Sequence, residues 1–369
     1  MRKLLTPKLF NWLALPMLAL IGAEIALASS DFNDGPHIFF QQDTNTVEIK
    51  WYCAGAVVVQ QQAINAIVSP KCGYNKPITI SQDLVTASAE KYTATKMAVL
   101  SDIHGQYGIF KALLQANGII DQQLDWQFAD GHLVIAGDVL DRGDGVTESL
   151  WLLYQLSHQA ELAGGKVHLL LGNHETMVMY DDLRYVNKHY LEAAEALDTT
   201  YPQLFSEQTV LGRWLRSLPV ITQINDMVFL HGGLHLDFLS LNLSITEVNQ
   251  QYSQSLGLSK QQLRQVPVLD FLYGSLGPLW YRGYFRDKDA TTAADLKLLL
   301  TNLKINTIVV GHTSMEGVFS HYNGQIFSVD SSIKRGKSGE ILLWQHGNFS
   351  RGTLTGEQLP VPVWSKKPE

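Results

Sequence analysis

The sequence predicts a large α/β protein that carries its polar side chains at the ends of its strands. Its 369 residues exceed the usual length of one domain, so we expect one large α/β domain with insertions or an added small domain. A hydrophobic content of 46% is enough for a sizeable core. Between residues 97 and about 344, short apolar runs are followed by turns containing Asp, Asn or His and then by helical stretches. This order is typical of strands that deliver polar chemistry to their carboxyl ends.

The first 28 residues are predicted to be a secretory signal peptide. Arg2, Lys3 and Lys8 precede an apolar stretch at residues 9–23, and a small-x-small site ends at Ala28, where we expect cleavage. A retained membrane anchor is the alternative, but the stretch is shorter than the about 20 residues that a span needs. We therefore expect a periplasmic or secreted protein without stable membrane association.

The charge of the chain argues against nucleic acid as the main partner. The formal charge is −7 for the whole sequence, and cleavage after Ala28 would remove three basic residues and one acidic residue to leave −9. An acidic chain without a basic run lacks the patch that binds a phosphate backbone. The sequence does not indicate an oligomeric state.

Residues 29–92 are predicted to form a small β-rich N-terminal element. Residues 46–52 alternate in the manner of a strand. The two cysteines of the chain, Cys53 and Cys72, fall in this element. In an oxidising compartment they could form a disulfide worth roughly 3 kcal/mol, and two buried free thiols are the alternative.

Five apolar runs of the main domain, predicted to span residues 93–350, end in polar turns. The runs are residues 97–100, 133–136, 167–171, 227–230 and 307–310. The turns that follow contain Asp102, His104, Asp138, Asp141, Arg142, Asn173, His174, His231 and His312. A single acidic turn is common for conformational reasons alone, whereas five turns of this composition indicate one shared site.

Other stretches of the main domain are predicted to be helical. Residues 181–205 and 245–265 are expected to be helical insertions that overhang the strand ends and shape a substrate pocket. Leu211, Trp214 and Leu215 recur at helical spacing before Pro219 ends the run. Residues 351–369 are predicted to be an extended and exposed C-terminal tail.

The residue types at the strand ends are those that bind divalent metal ions. Asp102 and His104 stand two positions apart in an extended turn, so both can face one ion. Asp138 can bridge two ions through its two carboxylate oxygens. The ligand shell of the second ion would be completed by Asn173, His231 and His312. Mixed imidazole and carboxylate ligation suits manganese, iron or zinc better than calcium or magnesium alone. We expect two divalent ions, manganese first, with iron, zinc or magnesium as alternatives.

The remaining side chains fit the other half of a hydrolytic reaction. Two ions about 3.5–4 Å apart can hold a hydroxide and clamp a phosphoryl group for in-line attack. His174 could protonate the departing oxygen, and Asp141 could orient that imidazole. The guanidinium group of Arg142 can donate two parallel hydrogen bonds to one phosphate. Each residue alone is more often a structural histidine or part of a surface ion pair, but the combination favours a catalytic site.

The order and spacing of these motifs resemble the calcineurin-like metallophosphoesterases, and within them the PPP-type phosphoprotein phosphatases. The resemblance covers residues from about 97 to 330. It rests on Asp-x-His at 102–104, Gly-Asp-x-x-Asp-Arg-Gly at 137–143, Gly-Asn-His-Glu at 172–175, His-Gly at 231–232 and Gly-His at 311–312. It implies a two-sheet α/β/β/α sandwich with the two metal ions, the six ligands and the acid pair His174 and Asp141 at the strand ends.

Departures from the general pattern indicate the branch. The wider superfamily often has a second His two residues after the Gly-His pair. This chain has Ser314 at that position, which resembles the PPP-type branch. Leu171 replaces the Arg that eukaryotic phosphoserine/threonine enzymes have before Gly-Asn-His-Glu. The chain resembles the bacterial Shewanella-like phosphatases, which are associated with phosphotyrosine. That resemblance implies that Arg282 is a second phosphate-binding arginine, and a structural arginine under aromatic residues is the alternative.

We therefore expect a metal-dependent phosphomonoester hydrolase, a protein phosphatase for phosphotyrosine, in which a metal-bridging hydroxide attacks phosphorus directly. The substrate would be a phosphorylated peptide or protein or a small phosphomonoester. A dinucleoside polyphosphate hydrolase or a broad-specificity phosphomonoesterase is the alternative among enzymes. A non-catalytic metal-binding scaffold is the alternative of a different class, and the complete set of ligands with an acid pair argues against it.

Overall fold

The computed structural model describes residues 31–42, 44–81 and 91–365. The predicted signal peptide, residues 1–28, lies outside these ranges. Within them, none of the helices combines the length and the apolar character that a membrane crossing requires.

Short strands and helices alternate along the main domain, as the sequence predicts. The strands are β1 (Asn33–Phe40), β2 (Thr46–Cys53), β3 (Ala56–Ala63), β4 (Lys91–Tyr92), β5 (Lys96–Leu100), β6 (His132–Ile135), β7 (Lys166–Leu169), β8 (Ile221–Ile224), β9 (Met227–Leu230), β10 (Thr307–Val310), β11 (Phe319–His321), β12 (Ile326–Ser328), β13 (Glu340–Gln345), β14 (Asn348–Thr353) and β15 (Gln358–Leu359). The α-helices are α1 (Tyr107–Ala116), α2 (Val146–Leu162), α3 (Asn173–Met179), α4 (Lys188–Ala196), α5 (Val210–Arg216), α6 (Ile245–Ser255), α7 (Lys260–Arg264), α8 (Pro267–Leu272) and α9 (Ala293–Leu303).

Two six-stranded sheets form the main domain. One has the order β15-β14-β13-β5-β6-β7, in which β5, β6 and β7 are parallel. The other has the order β11-β12-β10-β9-β8-β4, in which β9, β10 and β12 are parallel. The five apolar runs recognised in the sequence overlap β5, β6, β7, β9 and β10. Three of the polar strand ends therefore belong to one sheet and two belong to the other.

The two sheets pack face to face with helices on their outer sides. Val99 and Val134 of one sheet share a buried apolar cluster with Phe229 and Val309 of the other. Helix α2 packs on β7, and α6 packs on β8. Strands β9 and β10 are buried along their whole length, which explains their continuous apolar sequences. The predicted two-sheet α/β/β/α sandwich is thus confirmed.

The N-terminal element is a separate antiparallel sheet of β1, β2 and β3. Cys53 and Cys72 form a disulfide with a Cα–Cα distance of 5.8 Å, so the free-thiol alternative is excluded. Trp151 of α2 donates its indole N–H to the carbonyl of Pro36 at 2.9 Å, which ties this sheet to the main domain. Strand β4, which ends at the predicted boundary at residue 92, pairs with β8 of the main domain.

The segment from residue 351, predicted to be an extended and exposed C-terminal tail, contains the end of β14 and the strand β15. The predicted boundary at residue 350 falls inside β14, which pairs with β13 and with β15. Beyond these strands, the Ser320 N–H donates to the carbonyl of Pro362 at 2.9 Å. Prolines 360 and 362 lack the N–H that continues a strand ladder, so the local sequence resembles a tail although the carbonyls can still accept hydrogen bonds.

Both predicted insertions are helical. Residues 181–205 contain α4 and a 3-10 turn at Tyr201–Phe205, and residues 245–265 contain α6 and α7. The stripe that ends before Pro219 forms α5. Its N-cap is Thr209, whose hydroxyl accepts the N–H of Gly212.

Candidate metal centre

Six side chains from five strand ends converge at one edge of the sandwich. They are Asp102 and His104 after β5, Asp138 after β6, Asn173 after β7, His231 after β9 and His312 after β10. None of the six is more than 3% exposed to solvent. Because buried polar groups are costly unless they have partners, such a group requires either mutual contacts or a shared ligand.

Asp138 lies in the middle of the group. Its Oδ2 is 3.4 Å from Nε2 of His104 and 3.1 Å from Nε2 of His231. Oδ1 of Asp102 lies 3.7 Å from the same nitrogen of His104. One carboxylate therefore faces imidazoles from both sheets, which is the placement that a bridging ligand needs.

The second half of the group is built around His231. Its Nε2 is 2.9 Å from Oδ1 of Asn173 and 3.1 Å from Nδ1 of His312. Ligand atoms that are each about 2.0–2.2 Å from one cation lie about 3–3.5 Å from one another. Three of the five separations in this centre, 3.1, 3.1 and 3.4 Å, fall in that range, and the other two, 2.9 and 3.7 Å, lie just outside it.

His104 and His231 are oriented with Nε2 toward the centre. Nδ1 of His104 donates to the carbonyl of Leu140, and Nδ1 of His231 donates to the carbonyl of Ala136, each at 2.7 Å. A proton held on Nδ1 leaves the lone pair of Nε2 available to a metal. Within the described ranges, the buried Nε2 of His104 has no hydrogen-bond partner, so a cation would satisfy it.

The centre attracts positive charge. Burial would raise the pKa of Asp138, but His231 and the neighbouring imidazoles hold that pKa well below its ordinary value. Burial lowers the pKa of His231, yet the carboxylates of Asp138 and Asp102 raise it overall to about 9. The residues present therefore fit a divalent cation, which would take the place of the proton between these groups.

Asp102 is turned partly away from the centre. Among the residues that the structure describes, two sets of three groups lie close enough to hold an ion, namely His104 with Asp138 and His174, and Asp138 with His231 and His312. Asp102 is absent from the first set, and its Oδ2 accepts hydrogen bonds from Ser101 Oγ at 2.7 Å and from the His312 N–H at 2.9 Å. Its other oxygen, Oδ1, is the one directed to His104.

Several residues at the strand ends have a left-handed backbone conformation, which sets the direction of their side chains. The φ angles are 54° at Asp102, 47° at His104, 60° at Asp138 and 61° at His312. Such conformations cost of order 1–3 kcal/mol for a residue other than glycine and persist where surrounding structure holds them. Here the turns hold each other, because the His104 N–H donates to the carbonyl of Asp138 at 3.0 Å.

Glu175 fixes the turn that carries Asp138, a role that was not predicted from the sequence. Its Oε2 accepts the backbone N–H groups of Asp138 and Gly172 at 3.0 and 2.7 Å. Its Oε1 accepts those of Val139 and Leu140 at 2.8 and 3.0 Å. The side chain is fully buried. Its place three residues after the N-cap of α3 is that of a capping-box acid, and this spacing was the available signal.

His174 and Asp141 form a close pair beside the centre. Nδ1 of His174 is 2.5 Å from Oδ2 of Asp141, and Nε2 is 3.8 Å from Oδ2 of Asp138. Burial lowers the pKa of His174, but Asp138 and Asp141 together hold it above the ordinary value. The imidazole can therefore carry a proton on Nε2 toward a group bound at the centre. Buried metal-binding groups with an adjacent proton donor suit phosphoester hydrolysis.

Comparison with known proteins identifies the family. Residues 95–315 match the family described as calcineurin-like phosphoesterases. The chain belongs to this family. The predicted family is thus confirmed over more than half of the sequence, and its members use divalent metal ions.

This calcineurin-like phosphoesterase is similar in structure to the cold-active protein-tyrosine phosphatase of a psychrophilic Shewanella species. The TM-score is 0.84 at 38% sequence identity, over 88% of this chain and 98% of that chain. Shewanella-like protein phosphatase 1 of Plasmodium berghei is 26% identical over 64% of this chain and 67% of its own length. Shewanella-like protein phosphatase 2 of Arabidopsis thaliana is 23% identical over 65% of this chain and 72% of its own length. These similarities support a phosphatase activity.

The two arginines singled out in the sequence lie on different sides of the phosphoesterase centre. Arg142 is exposed, and its guanidinium carbon is 5.0 Å from the centre of the Tyr185 ring. Arg282 is partly buried, and it donates to the carbonyl of His312 at 2.5 Å, with a second nitrogen 3.3 Å from Nδ1 of His312. Arg282 thus contacts the candidate centre directly. Its bond to a backbone carbonyl is also the kind of contact that a structural arginine makes.

A sixth strand end reaches the centre of this phosphoesterase, and the sequence analysis missed it. Strand β12 is parallel to β10 and is followed by the buried Asp330. Oδ2 of Asp330 accepts hydrogen bonds from Ser314 Oγ at 2.8 Å and from Lys334 Nζ at 3.0 Å. Lys334 Nζ is also 3.4 Å from Oδ1 of Asp102. Burial raises the pKa of Asp330 to about 7. The available signal was an apolar run followed by Asp, the pattern that marked Asp138.

Proposed function

We propose that the protein is a metal-dependent phosphomonoesterase that hydrolyses phosphotyrosine in peptides or proteins. The observation that carries the proposal is the position of Asp138, whose Oδ2 is 3.4 Å from His104 Nε2 and 3.1 Å from His231 Nε2. His174, held by Asp141 at 2.5 Å, lies directly beside this group. The similarity to a protein-tyrosine phosphatase at 38% identity supports the choice of substrate.

Two divalent ions, with manganese favoured, would occupy the two halves of the centre. The first would be held by Asp102, His104 and Asp138, and the second by Asp138, Asn173, His231 and His312. When bound, such ions supply an activated water and positive charge for phosphoester hydrolysis. The imidazole-rich donor set supports manganese, iron or zinc over calcium.

The residues around the ions would handle the proton and the phosphate. Tyrosine has a pKa of about 10, so its oxygen leaves readily only when it is protonated. His174 would donate that proton from Nε2, while Asp141 holds Nδ1 and stabilises the charged imidazole before transfer. Arg142 and Arg282 would contact the phosphate oxygens, for which their planar guanidinium groups are suited.

We also propose that the protein works in the periplasm or outside the cell. The disulfide between Cys53 and Cys72 supports an oxidising compartment, because such bonds are rare where glutathione keeps thiols reduced. The signal peptide predicted at residues 1–28 would deliver the chain there.

Removal of metal tests the mechanism. Purified enzyme treated with a chelator should lose hydrolysis of p-nitrophenyl phosphate and regain it when Mn²⁺ is added. An Asp138→Asn variant should bind Mn²⁺ more weakly by calorimetry, because it loses the central carboxylate. Asp144→Asn is the matched control, since Asp144 is exposed and close in sequence. Activity that survives complete removal of metal would contradict the mechanism.

A comparison of substrates tests the specificity. The values of kcat/KM should be measured side by side for a phosphotyrosyl peptide, a phosphoseryl peptide of the same sequence and diadenosine tetraphosphate. We expect the highest value for the phosphotyrosyl peptide. A higher value for either of the others would contradict the assignment and favour the corresponding alternative.

A further inference from the structure

Tyr185 is an exposed aromatic side chain beside the proposed general acid. The centre of its ring is 5.1 Å from the centre of the His174 ring, and the two planes are inclined by 44°. Tyr185 is 39% exposed, whereas His174 is 4% exposed. The tyrosine ring therefore forms part of the surface between the acid and the solvent.

The turn before α4 holds Tyr185 against the turn that contains Arg142. The Arg142 N–H donates to the carbonyl of Tyr185 at 2.9 Å, and the side-chain amide of Asn187 donates to the carbonyl of Arg142 at 3.2 Å. The guanidinium carbons of Arg142 and Arg184 lie 5.0 and 5.4 Å from the centre of the tyrosine ring. Cation–π contacts at these distances help to fix the ring in place.

The same segment is tied to the second helical insertion. Asp182 accepts hydrogen bonds from Arg184 at 2.9 and 2.7 Å and from Lys260, the first residue of α7, at 2.6 Å. The side chain of Asp182 is 15% exposed, so its ion pairs are partly shielded from water. Because Arg184 also contacts Tyr185, both insertions contribute to the position of the tyrosine ring.

The position of His174 determines where the leaving group of a bound substrate lies. A general acid acts within about 2.6–3.2 Å of the oxygen that it protonates. The ring attached to a tyrosyl oxygen at that distance would be centred about 5–6 Å from the imidazole. His104 covers one side of that imidazole, with ring centres 4.5 Å apart, and the exposed Tyr185 lies at another side. A leaving ring on the solvent side of His174 would therefore lie within reach of the Tyr185 ring.

We propose that Tyr185 contacts the aromatic ring of the leaving tyrosyl group and so makes the site favour aryl over alkyl phosphomonoesters. The inference rests on the proposed function, because it uses His174 as the general acid. Aromatic rings attract each other at centre-to-centre distances of about 4.5–7 Å, which two rings beside the same imidazole can reach. A phosphoseryl group has a single methylene at that place and gains no such contact.

The test compares two substitutions at this position. Tyr185→Leu removes the ring, and Tyr185→Phe keeps it and serves as the matched control. The ratio of kcat/KM for phenyl phosphate to kcat/KM for ethyl phosphate should fall about two- to twelvefold in Tyr185→Leu, the strength of one aromatic pair. The inhibition constant of phenylphosphonate, which is not hydrolysed, should rise by a similar factor, and that of methylphosphonate should not change. Tyr185→Phe should retain both wild-type values.

The outcomes separate this inference from the function on which it rests. An unchanged ratio in Tyr185→Leu would overturn the role of Tyr185 while leaving phosphotyrosine hydrolysis intact. An equal loss for both substrates would also overturn it, because it would show that the ring only supports Arg142 or His174. A wild-type enzyme that hydrolyses neither substrate would instead contradict the proposed function.

Discussion

Replacing Glu175 by glutamine should destabilise the protein and disorder the turn that presents Asp138. The carboxylate of Glu175 accepts four backbone N–H groups, two on each oxygen, at distances of 2.7–3.0 Å. Glutamine has nearly the same shape but exchanges one oxygen for an NH₂ group, which cannot accept a hydrogen bond. Two of the four N–H groups would then face another donor in a fully buried place.

The expected loss follows from the cost of buried donors without acceptors. Each such group costs about 1–3 kcal/mol, so two of them predict a decrease of about 2–6 kcal/mol in the free energy of unfolding. Turning the amide over does not avoid the cost. One orientation leaves the N–H groups of Asp138 and Gly172 without an acceptor, and the other leaves those of Val139 and Leu140 without one.

Urea unfolding followed by circular dichroism measures the stability, and calorimetric titration with Mn²⁺ measures the state of the turn. Glu175→Gln should unfold at a lower urea concentration and bind Mn²⁺ more weakly than the wild type. Glu195→Gln, on the exposed face of α4, is the matched control and should change neither value. If Glu175→Gln unfolds within about 1 kcal/mol of the wild type, the role assigned to this carboxylate is refuted.

Two further predictions concern histidines. His174→Asn should reduce kcat about 10²–10⁴-fold for phenyl phosphate, whose leaving oxygen needs a proton, and much less for p-nitrophenyl phosphate. Equal losses at equal metal content would count against His174 as the acid. Burial lowers the pKa of His321 to about 4, so the stability gained from its neutral form is complete above about pH 6.5 and lost as the pH falls toward 4. The free energy of unfolding of the wild type should therefore decrease between pH 7 and 4.5. In His321→Gln this decrease should be smaller, by at most about 3 kcal/mol. The same decrease in both proteins would contradict this account.

The parts of the fold that sequence reasoning located are those with a local signature. Asp138 and His231 follow continuous apolar runs, and a buried strand with its turn can be recognised from a few consecutive residues. Asp330 follows the shorter β12, which has only three residues and ends in a serine, and no glycine or histidine marks its turn. Its connection to Asp102 runs through Lys334, and such a contact depends on the packing of separate turns.

The same limit explains the outcome at the two ends of the main domain. Strand β4 has two residues and pairs with β8, which lies about 130 residues later in the chain. At the other end, β14 and β15 complete a sheet beside the prolines at 360 and 362. Neither pairing leaves a periodic pattern that is long enough to recognise locally. Such long-range strand pairings are therefore harder to predict from the sequence than the end of a buried strand.

The charges of the centre connect its stability to its chemistry. Asp102, Asp138 and Asp330 are all buried, while Lys334 contacts the first and the last of them, at 3.4 and 3.0 Å. Lys334 and the His231 imidazole, whose pKa is raised to about 9, face these carboxylates, and the carboxylates repel one another in a medium of low polarity. The raised pKa of Asp330, about 7, is one consequence of that burial and repulsion. A divalent cation among these groups would relieve the repulsion, so it would bind the folded chain more tightly than the unfolded one and stabilise the fold. In the metal-free protein the charge of these carboxylates is met by Lys334 and by the His231 imidazole, and a divalent cation would take the place of the proton on that imidazole.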